Sequence, residues 1–268
     1  MKIAVAQIAC SPGDLSANLR TIREFAERAK TAGAELVVFP EMADTGYVMN
    51  VIRKQATPWT EGAVPELQEI ARTLSMAIVC GVSEREGARI YNSQVVIDSS
   101  GTIVAKYRKT HLFAPIGEDK CCAPGHDLVS VAFGPFQLGL TICYDLRFPE
   151  LYRALVVDHG TNVLIISSAW PFPRNEHLRL LALARAIENQ SYVILANRVG
   201  RDDGAPFCGT SAVIDPAGIV VAAASPDRAE LIVADLTQDV LETVRERMPV
   251  LTHRRSDLYE KTSGRSPA

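Results

Sequence analysis

Gln137-Leu138-Gly139-Leu140-Thr141-Ile142-Cys143-Tyr144-Asp145-Leu146-Arg147-Phe148-Pro149-Glu150 opens as a strand and closes as the start of a helix. Gln137–Cys143 is a short apolar run of the kind buried in a sheet, and Pro149 falls where the first helical turn tolerates proline. The same alternation runs outward in both directions. Upstream, Lys2–Ala9 reads as a strand, and Asp14 to Gly33 as a helix with Leu15, Leu19, Ile22, Ala26 and Ala29 on one stripe. Glu35–Phe39 reads as a short buried strand ending at Pro40-Glu41. Leu67, Ile70, Ala71 and Leu74 then mark a helical face before a strand at Ala77–Val82. Downstream, Val163–Ser167 reads as a strand, a long helix carries Leu180, Leu183, Ala184 and Ile187, and Tyr192–Asn197 is a strand again.

One internal echo extends this pattern. Val96-Ile97-Asp98-Ser99-Ser100-Gly101 and Val213-Ile214-Asp215-Pro216-Ala217-Gly218 share V-I-D-x-x-G, each as a hairpin turn between strands. Each follows a helix, a strand and a loop, which predicts two similar α/β halves packed together. The expected architecture is α/β, with two sheets covered by helices.

Composition narrows the function. The 268 residues are 47% hydrophobic and 22% charged, as in an ordinary globular chain with a sizeable core. Twenty-eight Lys and Arg against 31 Asp and Glu leave a net charge of −3, with no basic excess to bind nucleic acid. No apolar stretch approaches the ~20 residues of a membrane helix, and the first residues do not read as a signal peptide. A cytoplasmic location without membrane or nucleic-acid partners is expected. The six cysteines (Cys10, Cys80, Cys121, Cys122, Cys143, Cys208) form no CxxC pair, and the five histidines have no ligand-like spacing, so no metal is expected.

In open α/β sheets, ligands gather beyond the carboxyl ends of the strands. Three reactive side chains stand at such ends: Glu41 after Leu36–Phe39, Lys109 after Ile103–Tyr107, and Cys143 after Leu138–Ile142. Position alone leaves each open. Cys143 is either a thiol activated at a strand-to-helix turn, with its pKa lowered there, or a small buried hydrophobe. Glu41 is equally a surface carboxylate, and Lys106-Tyr107-Arg108-Lys109 a solvated charged run.

Taken together, three blocks resolve the choice. Phe39-Pro40-Glu41, Tyr107-Arg108-Lys109-Thr110-His111-Leu112-Phe113 and Cys143-Tyr144-Asp145-Leu146-Arg147-Phe148-Pro149-Glu150 resemble the signature blocks of the nitrilase (carbon–nitrogen hydrolase) superfamily, in order and spacing. The likeness continues through Ala184–Gln190 and Gly209-Thr210-Ser211 to Arg254–Tyr259. It implies a four-layer αββα sandwich over residues 1–268; within them 261–268, polar and without a hydrophobic anchor, are expected to be a loose tail unless a partner subunit holds them. It further implies the catalytic residues Glu41, Lys109 and Cys143, with a second glutamate placed at Glu118, no cofactor, and a homodimer or higher homo-oligomer.

The chemistry accounts for that set. Cys143 would attack an amide carbon and expel ammonia, leaving a thioester that water hydrolyses. Glu41 would take the thiol proton and return it to the leaving nitrogen. From unperturbed values that transfer is uphill by about 5.7 kcal/mol, so the site must close the gap. Lys109 stabilises a thiolate but also keeps Glu41 ionised; the like charge of Glu118 offsets this. Lys109 and the Tyr144 N–H are the expected oxyanion donors. His111 is expected to be structural.

Tyr144-Asp145-Leu146-Arg147 after the cysteine is similar to the ω-amidase branch, which hydrolyses short amides carrying a carboxylate. The residues expected at the substrate are Tyr144, Trp170 as a pocket wall, and Arg147 and Arg174 as cations, with Arg198 a further candidate; each of the three arginines is alternatively a structural ion-pair partner. An N-carbamoyl hydrolase is the alternative, ahead of a nitrilase or a silent metabolite-binding homologue.

Overall fold

The structure, a computed structural model, describes residues 1–202 and 204–259. The segment expected as a loose tail, 261–268, lies outside the described residues. Side-chain alternation along the strands sets the layers. In β1 (Lys2–Gln7), Ile3 and Val5 face one core while Ala4 and Ala6 face another. The same split separates Leu36 and Val38 from Val37 in β2 (Leu36–Val38), and Val79 from Ile78 and Cys80 in β3 (Ala77–Glu86).

These strands join β4 (Arg89–Ile97), β5 (Ile103–Arg108) and β14 (Glu230–Asp235) in a six-stranded sheet ordered β14-β1-β2-β3-β4-β5. A second six-stranded sheet contains β6 (Ser130–Phe133), β7 (Phe136–Ile142), β8 (Val163–Ser168), β9 (Tyr192–Asn197), β12 (Ala212–Ile214) and β13 (Val220–Ala223), ordered β13-β12-β9-β8-β7-β6. Between β9 and β12 a small hairpin pairs β10 (Arg201–Asp202) with β11 (Ala205–Pro206). On the first sheet's outer face lie α1 (Leu15–Thr31) and α3 (Ala63–Leu74), which bury Ile22, Phe25, Leu67 and Ile70. The short α2 (Met49–Gln55) lies between them in sequence. The second sheet carries α4 (Pro149–His159) and α5 (Asn175–Asn189), and α6 (Gln238–Arg247) follows β14. The result is the expected four-layer α/β sandwich. No described helix is long and apolar enough to cross a membrane.

The two sheets are built on one plan. Each has three parallel strands (β1-β2-β3 and β7-β8-β9), an antiparallel strand on one side (β14 and β6), and an antiparallel hairpin on the other (β4-β5 and β12-β13). The repeated V-I-D-x-x-G is the turn of that hairpin in both. Asp98 Oδ1 accepts the Ser100 and Thr102 N–H groups at 2.8 and 3.0 Å, and Asp215 Oδ1 accepts those of Ala217 and Ile219 at 2.9 Å each.

One helix face differs from expectation. α5 buries Leu178, Ala182, Arg185, Ala186 and Asn189, whereas Leu180 and Ile187 are each 54% exposed. The helix is apolar on two sides, so periodicity alone could not choose between them. Arg185 is tolerated inside because its guanidinium pairs with Glu188 at 2.7 Å and donates to the Leu146 carbonyl at 2.8 Å.

Candidate active site

Each reactive side chain owes its position to a strand end. After β2, Pro40 offers only a carbonyl, which accepts the Gly81 N–H at 3.0 Å, and the chain turns through Met42 at φ +48°. Gly81 makes this approach possible. A Cβ there would lie 2.5 Å from both the Glu41 Cα and the Pro40 oxygen. Asp44 then clamps the loop by accepting the Ser83 hydroxyl at 2.7 Å. Lys109 follows β5 and donates its backbone N–H to the Asn92 carbonyl at 2.8 Å. Glu118 begins a short 3-10 turn, Glu118–Lys120, whose glutamate carbonyl accepts the N–H groups of Cys121 and Cys122.

All three of these side chains are fully buried and meet at one point. Lys109 Nζ donates to Glu41 Oε1 at 2.8 Å and to the Glu118 carboxylate oxygens at 3.0 and 2.9 Å. The second oxygen of Glu41 accepts the Ala169 N–H at 2.8 Å, and Glu118 Oε2 accepts that of Phe113 at 2.6 Å. Burial by itself would push the Lys109 pKa down, but the charges of Glu118 and Glu41 outweigh it and hold the ammonium well above its usual range. Glu41 is raised, by burial first and by Glu118 in the same direction, against the pull of Lys109.

Cys143 ends β7 in the left-handed region, at φ +46°, and opens a short 3-10 turn over Cys143–Arg147. A non-glycine residue held there carries backbone strain, which surrounding contacts must maintain. Asp145 supplies them. Its carboxylate accepts the Tyr107 hydroxyl at 2.7 Å, the Ile142 N–H at 2.9 Å, and the Thr110 hydroxyl and His111 N–H at 3.0 Å each. His111 Nδ1 lies 2.9 Å from the same carboxylate, and its ring stacks on Phe148. Asp145 therefore ties the Cys143 turn to the strand end bearing Lys109.

The thiol's ionisation departs from expectation. Its pKa is raised well above the ordinary value, by burial first and by the charge of Glu41 next, while Lys109, the Ser168 hydroxyl and the Ala169 N–H pull it back. The expected lowering assumed a helix start beside the sulfur. That helix, α4, begins only at Pro149, beyond the 3-10 turn. The free site thus holds a neutral thiol beside a carboxyl whose own proton affinity is raised.

Cys143 opens into a cavity of about 430 Å³. Tyr144, Trp170, Arg147 and Arg174 all line it, with Tyr47, Phe113 and Phe207 adding aromatic wall. The Arg147 guanidinium lies 4.8 Å from the Trp170 ring centroid and that of Arg174 lies 5.6 Å from Phe113. Among the described residues neither arginine forms a salt bridge. Arg198 does: it is fully buried and grips Asp202 at 2.6 and 3.0 Å, so it is spent inside the fold. Asp202 in turn accepts the Tyr47 N–H at 2.7 Å. No group of three or more His, Cys, Asp or Glu among the described residues is arranged to hold a metal ion.

Residues 2–246 match the carbon–nitrogen hydrolase family. The chain belongs to that family. Relatives agree over nearly its whole length. A 2-oxoglutaramate amidase of Bacillus subtilis is 34% identical over 258 residues, covering 96% of this chain and 98% of its own. The ω-amidase NIT2 of Homo sapiens is 33% identical, covering 91% of each chain. Among solved structures, an amidase from Nesterenkonia sp. AN1, seen with acrylamide added to its active-site cysteine, superposes with a TM-score of 0.86 at 30% identity, covering 97% of this chain and 99% of that one. This carbon–nitrogen hydrolase is accordingly an enzyme of the amidase branch of the nitrilase superfamily.

Two polar groups at the centre of this hydrolase were not singled out from sequence. Asn92 donates through Nδ2 to Glu41 Oε1 and to Glu118 Oε1, at 2.6 Å each. The Tyr47 hydroxyl lies 3.4 Å from Lys109 Nζ. The signal for Asn92 was present: Asn92-Ser93-Gln94 interrupts an otherwise apolar strand, and buried polar side chains in a strand must have partners.

Proposed function

We propose that the enzyme hydrolyses a short linear amide whose acyl chain ends in a carboxylate, releasing ammonia through a Cys143 thioester. The observation that carries this reading is the union of two features at one cavity. A buried Glu41–Lys109–Glu118 cluster stands behind Cys143, and two guanidinium groups that have no carboxylate partner among the described residues stand in front of it. The amidases it resembles include proteins named for 2-oxoglutaramate, an amide with a distal carboxylate.

In this reading the substrate carbonyl lies over Cys143, with its oxygen toward Lys109 and the Tyr144 N–H. Cys143 transfers its proton to Glu41 as the sulfur attacks. The raised Glu41 pKa favours that transfer, because Glu41 accepts a proton more readily than an exposed carboxylate, while the raised thiol pKa opposes it, so the thiolate is not preformed and the proton leaves only as the sulfur attacks. Glu41 then protonates the leaving nitrogen, ammonia departs, and a water deprotonated by Glu41 opens the thioester. Glu118 anchors Lys109 throughout. Arg147 and Arg174 meet the distal carboxylate, while Trp170 and Phe113 flank the methylenes.

We place the whole chain, residues 1–268, in one hydrolase domain acting in the cytoplasm as a homodimer. Support for self-association comes from exposed apolar side chains, Leu180 and Ile187 on α5 and Ile219 and Val221 on the second hairpin. Gly218 brings that turn so close that an added Cβ would meet Ile187 at 2.5 Å.

Ammonia release tests the reading, with 2-oxoglutaramate, succinamate, aliphatic amides of matched length, N-carbamoyl-β-alanine and a short nitrile as substrates. Carboxylate-bearing amides should be preferred, and Cys143→Ala should lower turnover by roughly 10⁴ or more. Arg147→Ala and Arg174→Ala should raise KM for those amides and leave the neutral amides unaffected. Equal turnover of neutral and carboxylated amides would remove the arginine assignment, and preference for the carbamoyl compound would replace the substrate class.

A further inference from the structure

Asn92 lies in β4 opposite Ser83, and its backbone carbonyl holds the Lys109 N–H. Its side chain is fully buried. The amide nitrogen divides its two hydrogens between Glu41 and Glu118, whereas the amide oxygen is buried without a hydrogen-bond partner among the described residues. Leaving a buried acceptor unsatisfied costs free energy, so the orientation is dictated by the donor side. Turned about, the amide would set its oxygen against two carboxylates.

Charge explains why two donors are needed there. Glu41 and Glu118 face a single ammonium, Lys109, and the three carry a net negative charge when both carboxylates are ionised. The other groups around Glu41 are the neutral Cys143 thiol and the Ala169 N–H, with the Tyr47 hydroxyl on the far side of Lys109. Tyr47 is itself pushed well above its usual range, by burial and then by Glu118, and stays neutral. A buried site with an uncompensated negative charge takes up a proton. On Glu41, that proton would occupy the base before Cys143 could deliver its own. A second cation in place of Asn92 would err the other way and hold Glu41 too firmly ionised to accept the thiol proton. A neutral amide donor lies between these extremes.

We propose that Asn92 is a positioning residue that keeps Glu41 available as an unprotonated base, by sharing its amide hydrogens between the two glutamates. The proposal rests on Cys143 as nucleophile and Glu41 as its base, but not on the identity of the amide. Loss of the Asn92 donor removes a contact that lowers the Glu41 pKa, so Glu41 should protonate at higher pH in the variant.

The test is the pH profile of Cys143 alkylation by iodoacetamide, read by mass spectrometry on the Cys143 peptide, beside the kcat/KM profile for the best amide. In Asn92→Ala the acid limb of both profiles should move to higher pH by about one unit or more, a charged hydrogen bond's share of the carboxylate's proton affinity. Rates on that limb should fall about tenfold, and those on the alkaline side should stay within about threefold of wild type. Asn92→Asp, equal in size, should shift the limb at least as far, because a third carboxylate replaces the donor. Asn92→Ser, able to serve one glutamate, should fall between and keeps the test open if the alanine variant fails to fold. An unmoved limb in the folded variants, whether rates hold or drop uniformly across pH, would overturn the proposal by reducing Asn92 to packing. Wild-type alkylation with the shifted limb in the variants but no amide turnover would instead leave Asn92 in place and sink the proposed function.

Discussion

Glu41, the proposed base, is a charge held against its own stability. Its carboxyl is more easily protonated in the folded enzyme than in the unfolded chain, because burial and Glu118 oppose its charge. A group of that kind supports folding fully below its unfolded pKa and loses that support as pH rises through the folded value. Glu41→Gln should therefore match wild type in Tm at acid pH and gain on it as the pH rises, while turnover is lost. Thermal melts across pH would show this; a constant offset would mean that Glu41's charge carries no such cost. Lys109 is the reverse case. Its ammonium is the partner both buried carboxylates require, so Lys109→Met should destabilise the fold by about 3–5 kcal/mol, as removal of one member of a buried ion pair does, and abolish turnover. Denaturant midpoints at neutral pH check the first part and ammonia release the second.

At the scale of elements, the site depends on close passage between β3 and the loop after β2. Gly81→Ala would force a methyl group to within 2.5 Å of the Glu41 Cα and the Pro40 carbonyl, and backbone must move to admit it. An overpacked site of this sort costs about 1–3 kcal/mol. The displaced atoms carry Glu41, the proposed base, so kcat should fall more steeply than stability. A variant that melts earlier but keeps full kcat would show that the loop absorbs the shift elsewhere. The Asp145 network plays the matching part on the second sheet. It joins the Cys143 turn to Tyr107, Thr110 and His111 and holds a cysteine in the left-handed region without glycine.

The whole molecule is two similar halves placed face to face, and the reactive groups come from both. Glu41, Lys109 and Asn92 belong to the first sheet, and Cys143 to the second. Neither half holds the site alone. The exposed apolar side chains of α5 and the second hairpin belong to the same scale. Ile187→Glu should convert the proposed dimer to monomer in light scattering, because a charge at the centre of an apolar contact must be desolvated without a partner. A variant that remains dimeric would move the interface to another face.

The local order of this chain is legible in its sequence. Strand ends at Glu41, Lys109 and Cys143, the paired V-I-D-x-x-G turns and the helical stripes of α1 and α3 are written in periodicity and turn chemistry, which act over a few residues. Resemblance to the three signature blocks extended that reading to the α/β sandwich and to Glu118. Tertiary structure alone decided which of α5's two apolar sides turns inward, since that depends on what the neighbouring sheet offers. It also decided that Arg198 is spent on Asp202 while Arg147 and Arg174 line the cavity. It set the thiol's pKa above rather than below its ordinary value, because burial and the Glu41 charge act through space and the anticipated helix start lies too far along the chain. Asn92 belongs to the same group of residues, since a neutral amide acquires meaning only when folding brings two buried carboxylates within 2.6 Å of one nitrogen.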